Sequence, residues 1–149
     1  MKIQELKHYY VEFLNEEGYV SGIDDDIGGL YLEFEDDDIF DDTGFYIFID
    51  EGDINLISLL FAFPWECKNE EELIKLYKAA SDTNAETKMV KMAIFVGENT
   101  FEKDTICVNV SIEFLLNNKD DFKTNFNHWL NAMRNAIDTL QKKMKKKKK

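Results

Sequence analysis

Eight apolar side chains near the end of the chain, Phe122, Phe126, Trp129, Leu130, Met133, Ile137, Leu140 and Met144, recur at steps of three or four. That spacing puts them on one stripe of a helix roughly six turns long. A stripe of that length cannot be left to water, so it demands a sheet or another helix long enough to cover it.

The preceding sequence supplies such a sheet. Leu30, Leu32 and Phe34 alternate with Tyr31, Glu33 and Glu35, a period of two that predicts a strand with one buried face. Phe45, Ile47 and Ile49 alternate with Tyr46, Phe48 and Asp50, and Asp50-Glu51-Gly52-Asp53 supplies a turn before the apolar run Ile54 to Phe63. Both faces of the Tyr46 to Ile49 segment are apolar, so that strand is either covered twice or keeps one face for a partner. Pro64 stops the next strand. Val90, Met92, Ile94 and Val96 alternate; after a turn over Gly97 to Asp104, so do Ile106, Val108, Val110, Ile112 and Phe114, with Cys107, Asn109, Ser111 and Glu113 on a polar outer face.

Two further helices complete the pattern. Ile3, Leu6, Tyr10, Phe13 and Leu14 predict a helix over 3 to 17 that ends at Gly18. Asn69 as N-cap with Glu72 three residues on opens the second, whose apolar face is Leu73, Leu76, Tyr77 and Ala80 and whose end falls near Asn84 in a left-handed turn. The expected architecture is α+β: helix, three antiparallel strands, helix, two antiparallel strands, long C-terminal helix.

With 149 residues, 44% hydrophobic composition and one proline, the chain has the material for a single domain over residues 1–141, followed by a Lys-rich tail over 142–149. The net charge of −12 conceals an asymmetry. Seven basic residues lie in Lys142, Lys143 and Lys145 to Lys149, leaving eleven against thirty acidic ones before them, near −19. A body so acidic repels phosphate backbones, which excludes nucleic acid from it and favours neutral or basic partners. Lysines at the end of a helix suit its dipole, and the tail is read as a soluble end.

Charges interrupt every apolar group of Met1 to Lys7, so neither a secretory signal nor a membrane span is expected, and the localisation expected is cytoplasmic. Cys67 and Cys107, forty residues apart, read as reduced, buried thiols.

Taken in order, Thr43-Gly44-Phe45-Tyr46-Ile47-Phe48-Ile49-Asp50-Glu51, Lys78 to Asn84 with Thr87-Lys88, and Val110-Ser111-Ile112-Glu113-Phe114 resemble the YbjN-like family over most of residues 3–141. The resemblance implies a fold shared with type III secretion chaperones, acidic homodimers that hold extended partner segments on apolar sheet and helix surfaces. Asn84 and Glu113 fall at family positions. On their own they read as a helix end and a residue of a wet sheet face.

Sharper chemistry is weak by comparison. Asp24-Asp25-Asp26-Ile27-Gly28-Gly29 with Glu35 matches part of an EF-hand loop, but its fifth position is Gly28 and a strand replaces the exiting helix, so it reads as a solvated turn. Asp36 to Asp38 with Asp41 and Asp42 is an acidic loop able at most to hold calcium weakly, and no metal is assigned. His8 and His128, the chain's two histidines, sit on amphipathic helices, which leaves no positioned base for a nucleophile and no catalytic residue to name. No glycine-rich phosphate loop occurs, and no cofactor is expected.

The function expected is therefore a non-catalytic, chaperone-like protein-binding module, homodimeric, engaging a partner protein or peptide through the sheet face. Tyr46, Phe48, Trp65 and Glu113 are its candidate contacts, although Trp65 and Trp129 also suit the core. The competing reading is a small acidic inhibitor or immunity-type protein that masks a basic partner.

Overall fold

The computed structural model of the chain describes residues 2–34, 37, 39, 40, 44–87, 89–98 and 105–145. Helix α1 (Ile3–Glu16) leads into four strands, β1 (Val20–Asp24), β2 (Gly29–Glu33), β3 (Phe45–Ile49) and β4 (Leu56–Pro64). Helix α2 (Glu70–Glu86), strands β5 (Val90–Val96) and β6 (Ile106–Leu115), and helix α3 (Asp120–Lys145) follow. The strands form one antiparallel sheet of order β1-β2-β3-β4-β6-β5. The class is the α+β one expected, with four strands between the first two helices where three were read.

The helices lie on one face of this sheet. Registers align Leu30, Ile47, Leu59, Ile112 and Val90 as one inward row across five strands, and all five are at most 1% exposed. Helix α3 lays Phe122, Phe126, Trp129, Leu130, Met133, Ile137 and Leu140 on this layer, all buried. Trp129 stacks on Phe114 of β6, with ring centroids 3.4 Å apart, and Phe122 stacks on Tyr10 of α1 at 4.2 Å. Side chains of this size each contribute about 1.5–3 kcal/mol when withdrawn from water, which is why the stripe dictates where the helix lies.

Each edge of the sheet is held by an asparagine from a helix. On β1, the N–H of Ser21 donates to Asn15 Oδ1 of α1 at 3.1 Å. On β5, Asn84 of α2 takes both backbone groups of Met92, and Thr87 Oγ1 donates to Val90 O at 3.4 Å. The expected helix end at Asn84 is therefore corrected: α2 runs two residues further, because the carboxamide is engaged with a strand and leaves the helix uninterrupted. Tyr77, expected on the apolar face of α2, is 46% exposed. The buried face is Leu76, Ala79, Ala80 and Thr83, with Thr83 Oγ1 donating to Ala79 O.

The predicted caps and turns form. Gly18 has φ +96 and ends α1, and Asn69 Oδ1 accepts from Glu72 N at 2.9 Å. Asp50 Oδ1 accepts from Gly52 N and Asp53 N in the β3–β4 turn. Helix α3 continues through Lys145, with Lys143 paired to Glu86 and Lys75 Nζ donating to Met144 O. Lys146 to Lys149 lie outside the described residues. No described helix is long and apolar enough to cross a membrane.

Candidate partner-binding face

The face of the sheet turned away from the helices is built by the polar-side alternation of each strand. Its central row runs Gly22, Tyr31, Tyr46, Leu60, Ser111, Lys91 across all six strands. A second row places Phe48 beside Ser58 and Ser58 beside Glu113. Among the described residues no element lies over these rows, and Tyr31, Tyr46, Phe48 and Leu60 are all half-exposed.

The aromatic rings lie down along the sheet because glycines leave them room. A Cβ on Gly22 would stand 2.6 Å from Tyr31 Oη, and one on Gly29 would stand 2.8 Å from the Phe48 ring. Gly44, at φ +140, adopts a backbone that side chains disfavour, and a Cβ there would stand 3.0 Å from the Tyr46 ring. Such ring-over-glycine packing fills the gap a missing side chain leaves and presents ring faces outward. The result is a low, flat apolar surface, with Tyr46 and Phe48 centroids 6.3 Å apart.

Between Tyr31 and Tyr46 opens a cleft of about 290 Å³ whose rim includes Asp24, Glu33 and Gly44. Its size suits one long side chain, and its two carboxylates suit a cation at that side chain's end. On the whole outer face the described strand charges are Asp24, Glu33 and Glu113 against Lys91.

Three of the four candidate contacts thus share this face: Tyr46, Phe48 and Glu113. Glu113 stands two strands from Phe48, roughly 10 Å away by strand spacing. Trp65 does not join them. It follows Pro64 beyond β4, its N–H bonded to Ile106 O, and it faces a cavity of about 650 Å³ with Glu66, Asn69, Glu71, Glu72, Lys75 and Met144. There Asn69 and Glu72 are occupied in capping α2 and Lys75 in holding Met144. The sequence pattern had not singled out Tyr31, Leu60 and the glycines beneath the rings. Tyr31 was visible as the off-phase member of its strand, but the role of glycine appears only once the register is known.

Other candidates resolve locally. Asp24 Oδ1 accepts from Asp26 N and Gly28 has φ +71, so the stretch read as a partial EF-hand is the β1–β2 turn; Glu35 lies outside the described residues. Of the acidic loop, Asp36, Asp38, Asp41 and Asp42 also lie outside them. Asp37 receives Arg134 in a two-bond pair at 2.8 and 2.6 Å. Among the described residues no group of three or more His, Cys, Asp or Glu is placed to hold a metal. His8 and His128 are exposed on their helices. Cys67 is buried, whereas Cys107, expected buried, is half-exposed on the outer face between Pro64 and Phe95.

A six-stranded antiparallel sheet with its helices gathered on one face and an aromatic face that no described element covers defines the structural class. Within that class the fold is YbjN-like. The chain aligns with YbjN from E. coli, proposed to be a transcription regulator, at a TM-score of 0.63 over 91% of this chain and 89% of that one, with 13% identity. It also aligns with an uncharacterized protein from Methanothermobacter thermautotrophicus at a TM-score of 0.58, over 93% and 99% of the two chains, with 14% identity. At such identities the likeness speaks for the fold alone. No protein-family model matches the sequence, and no curated protein does.

Proposed function

We propose that the chain is a non-catalytic protein-binding module that receives a segment of a partner on the outer sheet face. The observation that carries this reading is the bare row of Tyr31, Tyr46 and Leu60 with Phe48 beside it. Exposed contiguous apolar surface of this kind, rimmed by charge, marks contact sites. The carboxylates of Asp24, Glu33 and Glu113 select a segment that combines apolar side chains with lysine or arginine, one of which enters the Tyr31–Tyr46 cleft. The chaperone-like mode implied by the sequence resemblance belongs to this proposal. So does any regulatory role borrowed from the E. coli neighbour, which we place at protein contacts because phosphate would meet three carboxylates for each lysine on this face.

Affinity capture with the full chain and with Tyr46→Glu and Phe48→Glu variants tests it, at low and high salt. The expected result is one partner retained at high salt by the parent chain and lost by both variants. Equal retention by parent and variants rejects the face. Capture of a basic partner that vanishes with salt, and is indifferent to both substitutions, points instead to the acidic-inhibitor reading, whose support is the charge near −19 before the lysine tail.

A further inference from the structure

At one end of the helix layer, where the first turns of α1 meet the approach to β4 and the start of α3, Leu6, Tyr10, Ile54, Asn55, Asn118 and Lys119 line a cavity of about 340 Å³. Helix side chains lean back toward the N-terminus, so Tyr10, its ring stacked on Phe122, leans toward Leu6 and carries its hydroxyl to this end of the molecule. Tyr10 is 1% exposed, yet its Oη makes no hydrogen bond among the described residues, whereas the hydroxyl of Tyr9 beside it donates to Asp120. No unbonded side-chain oxygen or nitrogen among the described residues is sealed away, so the Tyr10 hydroxyl opens on the cavity it lines. A buried hydroxyl without a partner is costly and uncommon. Burial, with Tyr9, Asp120 and Asp121 adding to it, pushes this hydroxyl up from its ordinary value, so it faces the cavity as a proton donor.

We infer that the cavity is a binding site for a small carboxylic acid with an apolar tail, the carboxylate accepting from Tyr10 Oη and pairing with Lys119 while the tail lies along Leu6 and Ile54. Three features select that chemistry. First, the polar groups left over are donors: Asn118 Oδ1 already accepts from Asp120 N at 2.9 Å, which leaves its N–H groups for an acceptor, as with Tyr10. Second, Lys119 is the one charged side chain of the lining and has no carboxylate partner among the described residues; its Nζ rests 4.5 Å from the Tyr9 ring centroid. The carboxylates nearby are engaged elsewhere, Asp120 by Tyr9, Asp121 by the N–H groups of Asn117 and Asn118, and Asp53 by that of Asn55. Third, the volume stands at the low end of the roughly 300–1,000 Å³ that small-molecule sites occupy, which suits a short acyl or aryl tail. The site lies on the helix side of the sheet and does not depend on the partner-binding reading.

Titration of the full chain with octanoate, octanol and octylamine, followed by amide NMR shifts and thermal melting, tests the site. Octanoate is expected to saturate, to shift the amides of Tyr10, Asn55, Asn118 and Lys119, and to raise the melting temperature. It should bind on the order of tenfold more tightly than the alcohol, with the amine weakest. Tyr10→Phe keeps the ring stack and removes only the unpartnered hydroxyl. Without ligand it should melt no lower than the parent, yet it should bind octanoate on the order of tenfold more weakly; a hydroxyl that served the fold alone would give the reverse. Lys119→Gln should erase the preference for octanoate over octanol. Shifts that never saturate or that fall on the outer sheet face, an alcohol bound as tightly as the acid, or octanoate affinity unchanged in Tyr10→Phe each overturn the inference.

Discussion

The carboxamide of Asn84 holds Met92 by both of its backbone groups, accepting from the N–H at 2.7 Å and donating to the C=O at 3.0 Å. A helix side chain thereby does the work of a seventh strand over one residue. Asn84→Ala removes both bonds and should lower stability by about 1–3 kcal/mol in urea titration. Asn84→Asp keeps an acceptor for the N–H but sets a carboxylate oxygen against a carbonyl. It should be the less stable variant at pH 7 and should gain on the alanine variant as acid protonates it. Equal stability of parent and alanine variant would show that water replaces the amide without loss.

Arg134, the chain's only arginine, grips Asp37 with two nitrogens and lies 4.6 Å from the Phe40 ring centroid. Burial works to raise the Asp37 carboxyl. Hydrogen bonds from Arg134 and from the Ile39 and Phe40 amides, together with the guanidinium charge, outweigh it and hold the group below the usual carboxylate range. A depressed folded value means that the contribution is fully present above the unfolded value of about 3.9 and is lost as pH falls through the folded one. Arg134→Gln should cost about 1–3 kcal/mol at pH 7, with the gap to the parent narrowing near pH 3. A gap independent of pH would assign the loss to packing on Phe40.

Gly29 and Gly22 both lie under aromatic rings but differ in what stands behind them. A Cβ at Gly29 meets Ile47 O as well as Phe48, whereas one at Gly22 meets only the far end of Tyr31. Gly29→Ala should therefore cost about 1–3 kcal/mol, since backbone must shift. Gly22→Ala should be nearly neutral in thermal melting and should instead swing Tyr31 out over the cleft. Comparable losses at the two sites would contradict this account.

The cysteines should react in a fixed order. Burial pushes the Cys67 thiol up, and the charge of Glu72 pushes it further; burial also raises Cys107, partly countered by a hydrogen bond from the Phe63 backbone. Native protein at pH 7.5 should alkylate more slowly than a free thiol, Cys107 first and Cys67 only on denaturation, as peptide mass mapping would reveal. Early labelling of Cys67 would mean that the core opens beneath α2.

Patterns that depend on one element were legible in the sequence; those that depend on register were not. The α3 stripe, the Asn69 cap and the alternation of β3 and β6 each carry their own period, and all appear where expected. Strand β1 escaped notice because Val20-Ser21-Gly22-Ile23-Asp24 combines a glycine with two polar residues and relies on α1 for its edge. Asn84 looked like a helix end because its partner, Met92, lies across a chain reversal that spacing does not encode. At the binding face, Tyr46 and Phe48 were readable as the off-phase apolar side of β3. Trp65 was grouped with them by residue type, and the structure sets it beside the start of α2.

The order β4-β6-β5 has a kinetic corollary. Strands β1 to β4 form a meander whose neighbours in the sheet are also neighbours along the chain, so each hairpin can close as soon as it is made. Strand β5 precedes β6 in sequence yet lies outside it at the sheet's edge, so it has no strand partner until β6 is made, and the β5–β6 hairpin joins the rest of the sheet only through β6 on β4. A nascent chain therefore carries the uncharged run Met92 to Gly97 with both edges bare through that interval. This run is where a chaperone has most reason to hold the growing polypeptide, and where the finished sheet should fray first.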